Sequence, residues 1–180
     1  MKQKYITVVG NLPISFDLAD ALHLGPVIAS ANSNKSILFP YATCNSEQNL
    51  QDMLNSPCFY KTDILVPEEL FKKYLFFNNV NCLPNFPAIK TLDIEPNSCT
   101  PQILSLMLAV YLRQKVVFLL GYDISNPLEM TRIKSIAIEN PDSRFVIVSK
   151  EGKSLKLDGI KNFYRDNYFK YQEVIDKHDE

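Results

Sequence analysis

The fold class follows most directly from residues 100–123, TPQILSLMLAVYLRQKVVFLLGYD. Thr100 suits a helix N-cap and Pro101 the first helical position. Ile103 to Leu112 is apolar on every side, which is typical of a helix packed between other elements. Val116 to Leu120 then predicts a strand that is buried on both faces and stops at a glycine. A buried helix leading into a buried strand indicates an α/β domain.

The same alternation continues on both sides of this stretch. Further apolar runs predict strands at Tyr5 to Val9, Val27 to Ala31, Ile64 to Val66 and Phe145 to Val148. Start and stop signals predict helices from about Ser15 to Leu22, Ser46 to Pro57, Pro67 to Leu75 and Asn126 to Asn140, whereas the proline-rich residues 78–97 predict irregular structure with at most one short strand. We therefore expect a three-layer, Rossmann-like, doubly wound and mostly parallel sheet in a single domain over residues 1–180.

Composition limits the partners that the chain can have. The net charge is −1 and 22% of residues are charged, so no basic field is available to attract nucleic acid. The richest apolar stretch, Ile103 to Leu112, is shorter than the roughly 18 residues of a membrane span. The amino-terminal residues read as a first strand and not as a secretion signal. We expect a soluble, cytoplasmic protein without a membrane span. The composition is compatible with either a monomer or a homo-oligomer.

The four cysteines, Cys44, Cys58, Cys82 and Cys99, are scattered singly. Their spacing matches neither a zinc site nor a redox motif, so no metal is expected. Unpaired thiols in a reducing cytoplasm are the favoured interpretation, and two disulfides in a secreted protein are the alternative.

Polar segments follow three predicted strands, at the edge where doubly wound sheets bind ligands. The first contains Gly10, Asn11 and Ser15, and Gly10 could leave room for a ligand against the backbone while Asn11 offers a donor and an acceptor. The others are residues 32–34, with Asn32 and Asn34, and residues 121–123, with Gly121 and Asp123. All three also read as ordinary turns, and Asp123 as a helix cap. If they bind a ligand, Asn11 and Asn32 should face a common crevice.

The aromatic-rich tail from about residue 160, best seen in Phe163 to Tyr171, allows two interpretations. Its aromatic rings could stack on a base or close over a pocket. The favoured alternative is a terminal helix that docks its aromatic face on the sheet or on a second subunit.

Three segments together carry a family resemblance: VVGNLPIS at 8–15, ANSN at 31–34 and SCTPQILSLMLAVYLRQKVVFLLGYD at 98–123. They resemble the bacterial sialyltransferases that use CMP-sialic acid, the related flagellin-glycosylation proteins and the archaeal 6-hydroxymethylpterin pyrophosphokinase-like family. The resemblance implies a nucleotide or a CMP-linked nucleotide-sugar donor as ligand, with no metal required. It also implies the nucleotide-binding positions Gly10, Asn11, Ser15, Asn32, Asn34, Ser98, Thr100 and Gly121.

Departures from the family pattern leave catalysis open. Leu12 replaces the second glycine of the family's first turn. The sialyltransferases carry a histidine as general base after the Gly-x-Asp strand, whereas this chain has only His23 and His178, neither of which suits that role. Asp123, or else Asp93, is the candidate base. The leading hypothesis is a glycosyltransferase-like domain, and the alternative is a non-catalytic binding or assembly protein that retains the fold.

Overall fold

The computed structural model describes residues 5–12, 26–31, 39–57, 59–84, 99–122, 124–149, 155–156 and 159–167. The strands within these ranges are β1 (Tyr5–Val9), β2 (Val27–Ser30), β3 (Tyr41–Thr43), β4 (Asp63–Val66), β5 (Val80–Cys82), β6 (Val116–Leu120), β7 (Arg144–Ser149), β8 (Leu155–Lys156) and β9 (Phe163–Asn167). The helices are α1 (Glu47–Leu54), α2 (Glu68–Lys73), α3 (Pro101–Tyr111) and α4 (Pro127–Glu139).

All nine strands form one sheet in the order β5-β4-β3-β2-β1-β6-β7-β9-β8. Every neighbouring pair is parallel except β8 with β9, which is antiparallel. The chain moves outward from β1 to β5, returns to place β6 on the other side of β1, and then moves outward again. The predicted doubly wound, mostly parallel α/β fold is confirmed, and its switch in strand order lies between β1 and β6.

Helices cover both faces of the sheet, and alternate residues of β1 contribute to the two cores. Ile6 and Val8 join the core formed with α3 and α4. Tyr5 and Val9 join the core formed with α1, against which α2 also packs. Both faces of the strand are therefore buried, which explains why its sequence is apolar without alternation.

Helix α3 is buried over most of its length, as its sequence predicts, but Tyr111 and Leu112, which the sequence also predicts to be buried, are 48% and 47% exposed. Every residue from Pro101 to Ala109 is buried, and the helix contacts β1, β2, β3 and α4. None of the helices in the described ranges is both long enough and apolar enough to cross a membrane.

Two predicted elements need correction, and two further strands were not predicted. The tail is not a terminal helix over its described part, because Phe163–Asn167 is β9, paired in parallel with β7. Phe163 is buried, and Arg144 lies over the ring of Tyr164 at 4.5 Å. Pro67 is the N-cap of α2 and not part of its first turn, and Leu75 lies beyond the helix and is exposed. The strands that were not predicted are β3 and β8.

The predicted helix from Ser15 to Leu22 lies outside the described residues, as does Cys58. Of the other cysteines, Cys44 and Cys99 are buried thiols and Cys82 is exposed.

Candidate functional site

The carboxyl ends of β1 and β6 remain paired beyond the strands themselves. The backbone N–H of Gly10 donates to the carbonyl of Leu120 over 2.8 Å, and the N–H of Leu12 donates to the carbonyl of Gly121 over 2.9 Å. Ligands of doubly wound sheets bind outside the strand ends at this switch point. The paired turns therefore form the floor of the candidate site.

Gly10 is needed at this position because the two turns approach each other closely. A β-carbon on Gly10 would lie 2.5 Å from the carbonyl oxygen of Gly121, well inside van der Waals contact. Gly121 itself has a φ of 63°, in the left-handed region that glycine adopts without strain. The space predicted to admit a ligand beside Gly10 is therefore occupied, on its β-carbon side, by the chain itself.

Asn11, which follows β1, is held by a hydrogen bond to a residue of the neighbouring strand β2. The Ser30 hydroxyl at the end of β2 donates to Asn11 Oδ1 over 2.6 Å, and Ser30 is fully buried. In the described part of the chain, Asn11 Nδ2 has no hydrogen-bond partner, and the residue is half-buried. The bond to Ser30 fixes the amide, so its Nδ2 donor is the group that can bind a ligand.

A buried carboxylate, Glu129 of α4, lies between α4 and the start of α3. Its exposed fraction is 4%. Glu129 Oε2 accepts from Thr100 Oγ1 over 3.0 Å and from Gln102 Nε2 over 2.8 Å, and Glu129 Oε1 accepts from Arg132 Nη1 over 3.3 Å. Buried charges persist where they are paired and hydrogen-bonded, as this one is. We call Thr100, Gln102, Glu129 and Arg132 the Glu129 cluster.

The Glu129 cluster is joined to the end of β6 through Tyr122. The Tyr122 hydroxyl donates to the backbone carbonyl of Gln102 over 2.8 Å, and the ring is buried. Burial raises the pKa of the Tyr122 hydroxyl well above its usual range, and the charge of Glu129 raises it further. Tyr122 therefore stays protonated and fixes the first turn of α3 to the segment that follows Gly121.

Two polar atoms of the Glu129 cluster, Gln102 Oε1 and Arg132 Nε, are buried and have no hydrogen-bond partner among the residues that the structure describes. Unsatisfied buried polar atoms are uncommon in folded proteins, because each loses its hydrogen bonds to water without replacement. The unsatisfied acceptor belongs to Gln102 and the unsatisfied donor to Arg132, and both side chains bind the carboxylate of Glu129.

The buried hydroxyl groups of Thr43 and Ser105 attach α3 to β2 and β3. Thr43 Oγ1 donates to the carbonyl of Pro101 over 2.7 Å and lies 2.6 Å from Ser105 Oγ, which also contacts the carbonyl of Ala29 at 3.1 Å. The hydrogen bonds of these two side chains are thus made within the fold. We assign them the structural role of fixing the start of α3 at the carboxyl edge of the sheet.

The structure brings four predicted site residues, Gly10, Asn11, Thr100 and Gly121, to this edge. Thr100 is the N-cap of α3 as predicted, but its hydroxyl binds Glu129 and makes no cap hydrogen bond. The other predicted positions lie outside the described residues: Ser15, Asn32, Asn34, Asp93, Ser98 and Asp123. Asn11 was expected to lie beside Asn32, and the neighbour that the structure describes is Ser30.

Sequence reasoning missed Ser30, Gln102 and Glu129 as site residues. The signals were present, since Ser30 ends an apolar strand and Gln102 begins an apolar helix. Glu129 lies three residues after Asn126, a spacing that favours a capping role at the start of α4. In the structure Asn126 alone caps the helix, and its Oδ1 accepts from the N–H groups of Leu128 and Glu129.

Within the described ranges, no three His, Cys, Asp or Glu side chains come close enough to hold a metal ion. Comparisons with known proteins add no relative: no family model, no curated protein and no solved structure matches the chain. The class that the fold itself defines is a doubly wound α/β domain whose switch point lies between β1 and β6.

Proposed function

We propose that the carboxyl edge of the sheet binds a nucleotide or a nucleotide-sugar, as in a glycosyltransferase-like domain. The observation that carries this proposal is Asn11, which follows β1 at the switch point and is fixed through Oδ1 by Ser30. Its Nδ2 is directed by that bond and can donate to a base, ribose or phosphate oxygen.

The buried groups beside this edge support binding by keeping the site rigid. Glu129 and Tyr122 hold the first turn of α3, so Thr100 and the turn after β6 keep fixed positions. A rigid site loses less conformational entropy when a ligand binds. Glu129 is a positioning residue in this proposal, because its oxygens are already taken up by protein donors.

For transfer chemistry the proposed base is Asp123, which directly follows Tyr122 in the chain. A carboxylate at that position would accept the proton of an acceptor hydroxyl. The proposed donor is a CMP-linked sugar, which is what the family resemblance implies.

Thermal-shift measurements with CMP, UDP, GDP and AMP test the proposal. A nucleotide that binds only the folded state stabilises it by about 2.7 kcal/mol at one hundred times its Kd. We expect at least one of the four to raise the Tm of the wild type and of the control Asn81→Ala, whose asparagine is exposed on β5. Equal Tm values with and without all four nucleotides would contradict the proposal.

A second candidate function, assembly without transfer chemistry, is favoured by an exposed apolar segment. Leu75, Phe76 and Phe77 follow α2 and are 59%, 95% and 46% exposed, just before the edge strand β5. Exposed apolar patches often mark protein–protein contacts. Light scattering distinguishes this function: an oligomer that Phe76→Ser dissociates supports it, and a monomeric wild type contradicts it.

A further inference from the structure

A pocket of about 320 Å³ lies at the opposite edge of the sheet from the candidate nucleotide site. Its walls are the turn between α3 and β6, residues 113–115, and the turn between α4 and β7, residues 140–143, together with Val110 and Glu139. The volume is at the lower end of the range for small-molecule sites. Both α3 and α4 end here.

We call this cavity, at the edge where β6 and β7 begin, the amino-edge pocket, and partly buried hydrogen bonds hold its walls. Asn162 Nδ2 lies 2.8, 2.9 and 2.8 Å from the carbonyl oxygens of Ala137, Asn140 and Ser143, and its two N–H groups are shared among these three acceptors. The Ser143 hydroxyl donates to the carbonyl of Gln114 over 2.7 Å, which links the two turns directly. These hydrogen bonds fix the two turns relative to each other.

Opposite charges line the pocket without pairing with one another. Arg113 and Lys115 are exposed on one turn, and Asp142 is exposed on the other. None of the three belongs to an ion pair among the described residues. The carbonyl end of α4, at Glu139, adds negative potential on the side of Asp142. The lining thus offers separate positive and negative groups at one cavity.

Arg113 has a backbone conformation that favours glycine. Its φ is 54°, in the left-handed region, where a residue with a β-carbon costs roughly 1–2 kcal/mol. Glycine is the usual residue at this position after a helix. Strain that a chain retains at a pocket is a sign of a role for the side chain.

From these observations we propose that the amino-edge pocket binds a small zwitterion, with its carboxylate at Arg113 and Lys115 and its ammonium group at Asp142. A zwitterion satisfies both sets of charges at once, whereas an ion of one sign satisfies only one. The proposal is independent of nucleotide binding at the other edge.

Calorimetric titration with a series of ω-amino acids tests the proposal, because their ammonium-to-carboxylate distance increases stepwise. The probes are glycine, β-alanine, 4-aminobutyrate and 6-aminohexanoate, with butyrate and butylamine as single-charge controls. We expect one zwitterion to bind with a Kd of about 1 mM or tighter, and both single-charge controls to bind at least about tenfold more weakly.

Two variants separate binding from folding. Arg113→Gly should weaken the zwitterion at least about tenfold while raising the Tm, since the strain at φ 54° is relieved. Asp142→Asn should weaken it similarly, and the control Glu69→Gln, on exposed α2, should not. The proposal is overturned if no zwitterion binds, if butyrate or butylamine binds equally well, or if Arg113→Gly leaves the affinity unchanged.

Discussion

The carbonyl oxygen of Gly121 occupies the position that a β-carbon on Gly10 would need, at a separation of 2.5 Å. A residue with a β-carbon at position 10 therefore fits only if the ends of β1 and β6 shift. We expect Gly10→Ala to lower the free energy of unfolding by about 1–3 kcal/mol, because the two turns must move apart. Urea denaturation measures this change. An unaltered unfolding midpoint would show that the turns are not in close contact.

Removing the charge of Glu129 should destabilise the fold strongly. Glu129→Gln leaves the Arg132 guanidinium, whose side chain is 13% exposed, without its carboxylate, and breaking a buried ion pair costs about 3 kcal/mol. Glu47→Gln is the matched control, because the Glu47–Lys73 pair is exposed and should contribute little. Equal denaturation midpoints for the two variants would contradict the buried position of Glu129.

Alkaline pH should destabilise the protein through Cys44. Burial raises the pKa of this thiol from its ordinary value of 9.0 to about 11 in the folded state. A raised thiol pKa means that folding favours the protonated form, so this contribution is complete below pH 9 and declines as the pH rises from 9 to 11. A shift of this size corresponds to roughly 3 kcal/mol.

Comparison of the wild type with Cys44→Ala isolates this effect, because the other titrating groups are common to both proteins. The free energy of unfolding of the variant should fall less steeply between pH 9 and 11. Parallel pH profiles for the two proteins would contradict the burial of the Cys44 thiol.

A charge in the centre of α3 should prevent folding. Leu106 is fully buried, and an unpaired carboxylate there costs several kcal/mol against a total stability of only about 5–15 kcal/mol. We expect Leu106→Asp to abolish soluble expression. Leu128→Asp on α4 is the control, since Leu128 is 60% exposed and should tolerate the charge. A soluble Leu106→Asp protein with a cooperative melt would contradict the placement of α3.

The elements that sequence reasoning predicted best are those with continuous apolar runs. Strands β1 and β6 match their predicted bounds because each is buried on both faces and ends at a glycine. Strand β3 was missed because it has three residues, begins with the exposed Tyr41 and owes its conformation to pairing with β2 and β4. Strand β9 was taken for a helix because polar residues interrupt its apolar ones.

The candidate site was harder to predict than the fold, because its hydrogen bonds join distant parts of the chain. The position of Asn11 could be predicted from the end of β1, but its partner Ser30 depends on the register of β1 with β2. Glu129 has a spacing from Asn126 that favours a local capping role. Its donors Thr100 and Gln102 come from the preceding helical segment, and local sequence patterns do not report such contacts.

The central claim, that Asn11 binds a nucleotide at the carboxyl edge, is tested best by a variant that keeps the bond to Ser30. Asn11→Ala would remove the acceptor of the buried Ser30 hydroxyl and so reduce stability as well as binding. Asn11→Asp retains an oxygen for Ser30 and replaces the Nδ2 donor with a second oxygen of a negatively charged carboxylate.

Calorimetric titration of the wild type and Asn11→Asp with the nucleotide that raises the Tm most, paired with a melt of each protein, is the most direct measurement. We expect the two Tm values to agree while the variant binds at least about tenfold more weakly, because the donor is replaced by an acceptor that repels phosphate and ribose oxygens. Equal affinities for the two proteins would contradict the claim.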